Sequence, residues 1–461
     1  MRSTQVAVIG AGSAGLNAYR QARKHTDSVL LIDPGPLGTT CARVGCMPSK
    51  LLIAAADAAW NARQAQALGV HVGDLHIDGK AVMKRVQEMR DRFVGKVLSG
   101  MSGIPTEHQV HQSVRFVADH LLETADGEQI EAERIVIATG SRPAIPKFLY
   151  NADDRMLVND DLFELTELPE SVVVFGPGVI GLELGQALHR LGVRVRMFGV
   201  GGAIGPLGDS ELLVCAAKTF GGEYPLDADA RVTQVERSDA GVRVSFTDPQ
   251  GKEQSESFDY LLAATGRRPN VDNLGLENTS LELDEHGIPL FDTETLQCGN
   301  SAVFIAGDAN NHLPLLHEAS DEGHIAGGNA GRYPDVRAGH RTQPLAVVFS
   351  DPQIATVGMS TAKIAQYDTR LVASASLAFA DVARAKVLNR TEGLMKVWAD
   401  RKTGRLLGAE LLGPDVEHLA HLLAWAMERG QTLDEMLAMP YYHPVLEEGL
   451  RSLLRELKAS L

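Results

Sequence analysis

The chain has 461 residues, a formal charge of −15 at neutral pH and 44% apolar residues. An acidic balance of that size argues against a nucleic-acid partner, which calls for a basic face. Four cysteines in 49.6 kDa are too few for a disulfide scaffold, and "MRSTQVAVIG" enters an apolar strand with neither a basic leader nor a membrane span. A cytoplasmic protein of about three domains at ~150 residues each is expected.

"VAVIGAGSAGLNAYRQARKH" reads as a buried strand, then Gly10, Gly12 and Gly15 at G-x-G-x-x-G spacing, then a helix, and "SVLLID" is a second strand ending at Asp33. The first glycine allows a tight turn, the second lets a pyrophosphate approach the backbone, and the third lets helix pack on strand. An acid about 20 residues on takes a ribose hydroxyl. Strand, helix, second strand and terminal acid together predict a dinucleotide-binding unit.

"LGTTCARVGCMPSK", residues 37–50, holds Cys41 and Cys46 on a stretch expected to be helical. Five helical residues separate Cα atoms by ~8–9 Å, whereas a disulfide needs roughly 4.4–6.8 Å, so a bonded pair needs a distorted turn. Gly45 supplies freedom to bend, and Pro48 is expected to reset the helix that "SKLLIAAADAAW" continues. A reversible disulfide fits this spacing. A zinc half-site and two structural thiols stay open, although Cys215 and Cys298 are isolated and zinc takes four ligands.

The nucleotide pattern returns in "VVVFGPGVIGLELGQALHRLGVRVRMFG", with Gly176, Gly178 and Gly181 at the same offsets, so two dinucleotides are implied. Asp33 and Gly199 each lie 23 residues past the first glycine of their unit, so the second unit lacks its ribose-binding acid. Arg194 and Arg196 on the preceding strand share one face, by the two-residue period of strands. Loss of a carboxylate that binds ribose hydroxyls and repels a 2′-phosphate predicts weak discrimination between NADH and NADPH. Restoring it by Gly199→Glu is expected to shift preference roughly tenfold toward NADH.

Apolar strands end in glycine at "ERIVIATGSRP" (133–143) and "DYLLAATGRRPN" (259–270), and "SAVFIAGDAN" ends at Asp308, at a strand's carboxyl end where open α/β sheets bind ligands. From about 345 alternating strands and then helices at 415–429 and 445–458 read as a separate α+β domain. The expected fold is α/β: two Rossmann-like dinucleotide-binding domains and a C-terminal α+β domain. Its expected parts are a first FAD-binding segment over 1–145, an inserted NAD(P)-binding domain over 146–270, the returning central segment over 271–342, and a dimerisation domain over 343–461.

These residues resemble the pyridine nucleotide-disulfide oxidoreductases, most closely their dihydrolipoamide dehydrogenase branch. The resemblance covers nearly the whole chain and rests on Gly10-Gly12-Gly15, "TCARVGCMPSK", "ATG" at 138–140, "GPGVIGLE", "GRRPN", "AGDA", "LLHEASDEG" and "YYHPVLEEG". It implies FAD on the first unit, NAD(H) or NADP(H) on the second, and a redox-active Cys41–Cys46 disulfide on the opposite flavin face. In that scheme Cys46 is the flavin-side thiol in charge-transfer contact and Cys41 the interchange thiol. Thiol–disulfide exchange needs a thiolate, so a base is required. The resemblance assigns that task to His443, paired with Glu448, reaching the disulfide of the other subunit of a homodimer. It pairs Lys50 with Glu183 beside the flavin.

The cofactor-binding positions implied by the same motifs are Gly10, Gly12, Gly15, Asp33, Thr39, Thr40, Lys50, Thr139, Gly140, Ser141, Asp308, Leu316 and His317, with Gly176, Gly178, Val179, Ile180, Gly181, Glu183, Gly199 and Gly266. Lipoamide or a lipoyl-domain protein is the implied substrate, with no nucleic acid, membrane or metal. Reduction of another small disulfide and a flavoprotein redox sensor are the alternatives. Three positions depart from the family pattern: Thr39 replaces a second glycine before the redox motif, Arg43 replaces asparagine between the cysteines, and Val445 follows His443-Pro444.

Overall fold

A computed structural model describes residues 1–248 and 250–461, which divide into two compact units. The first comprises Met1–Pro48, Glu88–Ala144 and Arg267–Arg341. Its sheet is nucleated by β1 (Arg2–Ile9), whose Val6, Ala7 and Val8 are fully buried. Such a continuous apolar run suits a parallel strand covered on both faces. β1 pairs in parallel with β2 (Val29–Ile32) on one side and with Gln129–Ile137 on the other. The short strand Val303–Ile305 adds in parallel beside Gln129–Ile137, although it arrives from far down the chain.

The helix α1 (Ser13–Ala22) follows β1 directly and packs on the helix Leu316–Arg332. That contact is as close as backbones permit. A Cβ added at Gly323 would strike the Ala14 carbonyl, and one at Gly327 the Ala18 carbonyl. The middle of the later helix is thereby locked along α1, and the Asn17 amide donates to Ser320 Oγ at 3.2 Å.

The expected bend between the cysteines is present. α2 (Thr40–Val44) carries Cys41, the chain breaks at Gly45, and α3 (Cys46–Gln64) begins at Cys46 itself. The helix therefore resumes two residues before Pro48, which sits in its first turn, where a missing N–H is harmless. A Cβ at Gly45 would crowd the Thr40 carbonyl at 3.0 Å and Cys41 Cα at 3.2 Å, so the return of the chain onto its first cysteine depends on glycine. A longer helix, α4 (Gly79–Met101), passes later in the chain.

The second unit comprises Ser49–Gln87, Ile145–Gly266 and Thr342–Leu461. Its parallel sheet runs in the order Leu226–Asp227, Arg194–Phe198, Ser171–Phe175, Tyr260–Ala263, Met156–Leu157. A three-stranded antiparallel sheet follows over Arg231–Ser238, Gly241–Thr247 and Glu253–Phe258. The C-terminal part is a five-stranded antiparallel sheet covered by Val416–Glu428 and Glu447–Ala459, around a core that includes Phe379, Met395, Leu411, Leu423 and Leu453. Among the described residues no helix is long and apolar enough to cross a membrane.

The helix pair in the first unit makes a sharp prediction. Gly327→Ala forces a methyl group into the α1 backbone and should cost about 1–3 kcal/mol, the usual penalty for overpacking. Gly328→Ala, whose Cβ meets nothing closer than the Arg332 guanidinium at 3.4 Å, should be neutral or gain up to ~1 kcal/mol of helix propensity. Urea midpoints of the two purified variants check this contrast.

Candidate active site

The two glycine fingerprints fold into the same steric device. At Gly10, with φ +109°, a Cβ would fall on the Ala138 carbonyl, and at Gly15 it would fall on the Gly10 carbonyl. Gly12, which caps α1, has nothing within 4 Å of its Cβ position. In the second unit Gly176, at φ +103°, abuts the Ala264 carbonyl, Gly181 abuts the Gly176 carbonyl, and Gly178 faces open space. In each case two glycines are needed by the protein itself, and the middle one is free to be approached from outside. Val179, Ile180 and Gly181 open the helix Val179–Arg190 behind it.

Around the first cradle, Asp33 accepts the Ala11 N–H at 2.6 Å and the Gly35 N–H at 2.7 Å, which leaves further lone pairs on both oxygens. Ser141 Oγ donates to Asp308 at 2.6 Å, joining the two distant glycine-ended strands. Two residues not singled out from the sequence complete this corner. Arg267 donates to Ser141 Oγ at 2.8 Å and to its carbonyl at 2.7 Å, and Asn270 donates to the Thr139 carbonyl at 3.0 Å. Both lie in the "GRRPN" motif, of which only Gly266 was named. Thr139 Oγ1 is buried with no hydrogen-bond partner, an orphan beside Gly140, which itself has φ +68°. An open cradle at a helix N-terminus, a ribose-type acid and an orphaned hydroxyl fit a dinucleotide such as FAD.

The residues between cradle and cysteines show what the Thr39 departure costs. Thr39 sits at φ +62°, a left-handed conformation that glycine adopts freely and threonine does not. Its hydroxyl caps α2 by accepting the Ala42 N–H at 3.3 Å. Thr40, exposed, opens α2, and the cysteines follow, Cys41 half-buried and Cys46 exposed. The other two cysteines differ: burial pushes the Cys298 thiol up to about 12 and also raises Cys215. Leu316 and His317 begin the helix packed on α1, and Leu316 and Cys41 both border a cleft of about 400 Å³.

Lys50 and Glu183 are brought together within the second unit. Lys50 Nζ lies 2.8 and 2.7 Å from the two oxygens of Glu183, which is only 4% exposed. The carboxylate also accepts Ser49 Oγ at 2.7 Å and the Phe349 N–H at 3.1 Å, while the Phe349 ring lies 4.6 Å beneath the ammonium. So many donors compensate the burial of a charge that a lone pair could not. Ser49 and Phe349 had no sequence signal beyond adjacency to the motif for the first and none for the second.

His443 and Glu448 are likewise joined. His443 Nδ1 lies 3.0 Å from both carboxylate oxygens, so Nδ1–H donates and Nε2 is left outward on a largely exposed ring. The hydrogen bond from His443 holds the Glu448 carboxyl below its ordinary value, helped by the Val445 N–H. The structure does not bring Gly199 into a comparable position. A Cβ there would lie 2.7 Å from the Ala228 carbonyl and 2.7 Å from the Pro177 ring. A Glu at position 199 would therefore have to displace this turn before it could act as a ribose-binding acid. Arg194 and Arg196, the cations nearest in sequence for a 2′-phosphate, are engaged elsewhere: Glu256 lies 3.6 and 2.7 Å from them and they stack on Phe258 and Phe246.

Residues 4–323 match the family described as pyridine nucleotide-disulphide oxidoreductase, and residues 345–454 match its dimerisation domain. The chain, a flavoprotein disulfide oxidoreductase, belongs to the pyridine nucleotide-disulphide oxidoreductase family. It is 32% identical to a dihydrolipoyl dehydrogenase of Bacillus subtilis over 96% of this chain and 94% of that one, and 31% identical to dihydrolipoyl dehydrogenase 2 of Haloarcula marismortui over 97% and 95%. Among solved structures, LpdA from Mycobacterium tuberculosis superposes with a TM-score of 0.82 at 25% identity, covering 98% of this chain and 99% of that one. The HOCl-induced flavoprotein disulfide reductase RclA from Escherichia coli superposes at 0.81 and 24%, with the same coverage, a likeness of fold. The α/β architecture with two Rossmann-like domains and a C-terminal dimerisation domain is thus as expected.

Two substitutions separate the protein's needs from a ligand's. Gly12→Ala should leave circular dichroism and urea stability unchanged while the purified protein loses its yellow flavin absorbance, because the methyl group enters the open cradle. Gly199→Glu should raise KM for NADH and NADPH together by distorting the turn, with their ratio of kcat/KM nearly constant. A clean tenfold shift toward NADH would show that the turn yields.

Proposed function

We propose that this protein is an FAD-dependent, NAD(P)-linked dithiol/disulfide oxidoreductase, most closely a dihydrolipoamide dehydrogenase, acting as a homodimer. The observation that carries this reading is the pair Cys41 and Cys46 folded around Gly45 in the same unit as the Gly10-Gly12-Gly15 cradle. Two more observations support it: the preassembled Lys50–Glu183 and His443–Glu448 pairs, and the dihydrolipoyl dehydrogenase names of full-length relatives.

A nicotinamide gives up a hydride, whereas opening a disulfide takes two electrons and two protons. FAD, when bound, supplies the two-electron carrier between them. The residues that would hold it are Gly10, Gly12, Asp33, Thr139, Ser141 and Asp308, with Lys50 offering an ammonium one helical turn beyond Cys46 along α3. In the reductive direction the Cys41 thiolate attacks one sulfur of the substrate disulfide, forming a mixed disulfide and expelling the other sulfur as a thiolate. His443 of the partner subunit protonates that leaving thiolate. The Cys46 thiolate then attacks the Cys41 sulfur, closing the Cys41–Cys46 bond and expelling the second substrate sulfur as a thiolate, which takes its proton from solvent. The substrate has gained two electrons and the cysteine pair has lost two. Run backwards, the same steps oxidise a dithiol, and His443 takes its proton first. Glu448 fixes the Nδ1–H tautomer so that Nε2 is the atom that moves protons.

Two experiments test this. Cys46→Ser should retain flavin and lose reduction of lipoamide by at least ~10²-fold, measured as steady-state NADH oxidation, because the mixed disulfide can no longer be resolved. Mixed dimers of His443→Ala and Cys41→Ser subunits, each inactive alone, should regain activity, since one of the two shared sites is then intact. Silent, verified heterodimers would contradict a site shared between subunits.

A further inference from the structure

The two nucleotide units differ at the place where such units distinguish one dinucleotide from another, the adenosine ribose. In the first, Asp33 follows the strand Val29–Ile32, and its carboxylate accepts the Ala11 N–H of the cradle and the Gly35 N–H of the turn. Moving from Gly10 to Gly176 is a step of 166 residues, and the same step carries Asp33, Ala11 and Gly35 to Gly199, Pro177 and Gly201. The second unit has lost the acid, and at Pro177 it has lost one of the acid's two donors as well. The other donor has found a different acid. The Gly201 N–H donates to Asp229 Oδ1 at 2.8 Å, as the Gly35 N–H donates to Asp33 Oδ1 at 2.7 Å, and both glycines hold positive φ, +70° and +83°.

Asp229 comes from the neighbouring strand. Leu226–Asp227 pairs in parallel with Arg194–Phe198, with Phe198 opposite Asp227, so both strands deliver their next residues to the same carboxyl end of the sheet. Beyond that point the two segments stay joined. The Gly199 N–H donates to the Asp227 carbonyl at 2.7 Å, the Gly202 N–H to the Ala228 carbonyl at 3.0 Å, and the Ala230 N–H to the Gly199 carbonyl at 3.0 Å. The Ala228 carbonyl is also the atom that a Cβ at position 199 would strike. The segment that excludes an acid at 199 therefore brings its own carboxylate one residue later. Asp229 is exposed, and among the described residues its Oδ2 meets no donor of the chain. Asp33 has both oxygens on N–H groups, whereas Asp229 has only one.

We propose that Asp229 takes the place of the missing acid at 199: its carboxylate binds the adenosine ribose hydroxyls of the coenzyme and repels a 2′-phosphate, so that NADH is preferred to NADPH. The inference rests on the reading of the second glycine fingerprint as the NAD(P) cradle. A ribose diol offers donors to the open carboxylate oxygen, and a 2′-phosphate brings like charge against it. The weak discrimination expected from Gly199 alone is thereby reversed.

Asp229→Asn isolates the charge, because its amide oxygen can still accept the Gly201 N–H. Dissociation constants of NAD+ and NADP+ for the flavin-loaded, full-length protein, measured by titration calorimetry, need no turnover. The parent should bind NAD+ at least ~10-fold more tightly than NADP+, and the asparagine variant should lower that ratio roughly five- to tenfold. The ratio of kcat/KM for NADH and NADPH should fall in parallel, through KM. Asp227→Asn removes the neighbouring charge and keeps an oxygen for the Asp229 N–H that Asp227 Oδ1 accepts at 3.2 Å, so it should leave both ratios nearly unchanged. A role confined to capping the turn would lower the unfolding temperature and leave the ratios alone. A parent ratio near one, or a ratio that Asp229→Asn does not move, overturns the assignment and leaves the nucleotide site standing. Failure to bind either nucleotide overturns the reading of the second unit as well.

Discussion

In each nucleotide unit a glycine stands where any side chain would strike a backbone carbonyl. When a helix must start immediately after a strand, its first turn runs into the strand beside it unless side chains are missing. Gly15 against the Gly10 carbonyl and Gly10 against the Ala138 carbonyl remove that conflict, and Gly181, Gly176 and Ala264 repeat the solution. The consequence is electrostatic as well as steric. The helix N-terminus, with its unpaired N–H groups and positive dipole end, is carried up to an open space above Gly12 or Gly178. An anionic dinucleotide is the ligand for which that arrangement costs least.

The redox end depends on the same kind of constraint, applied to a single residue. A continuous helix would hold Cys41 and Cys46 too far apart for exchange. Gly45 lets the backbone fold back until it nearly touches Cys41, which sits in the short helix α2, while Cys46 starts the longer α3. Thr39, held at φ +62°, stores about 1 kcal/mol or more of backbone strain just before the pair. In this chain the approach to the first cysteine is kept in a conformation its sequence does not favour, which is the usual mark of a functional turn.

Much of this was legible in the sequence, for a physical reason. The glycine fingerprints, the acid Asp33, the bend at Gly45 and the C-terminal α+β pattern are local features, set by spacing over a few residues. The Lys50–Glu183 and His443–Glu448 pairs were legible only through resemblance, because one joins residues far apart in sequence and the other carries little signal alone. Arg267, Asn270, Ser49 and Phe349 were missed: each acts through hydrogen bonds or ring contacts that no periodicity encodes. Gly199 shows what spacing alone leaves out. Its offset marked it as a missing acid, but Ala228 and Pro177, which fill the space a side chain would need, were visible only once the turn was folded.

The central claim is that electrons from a nicotinamide reach the Cys41–Cys46 pair. Differential alkylation measures it directly. The air-oxidised, flavin-loaded protein is labelled anaerobically before and after NADH or NADPH, and the modified cysteines are located by mass spectrometry. The account predicts that Cys41 and Cys46 become alkylated only after reduction, while Cys298, 1% exposed and with a thiol pushed up to about 12, stays unmodified throughout. Equal labelling of Cys41 and Cys46 before and after the reductant would contradict it.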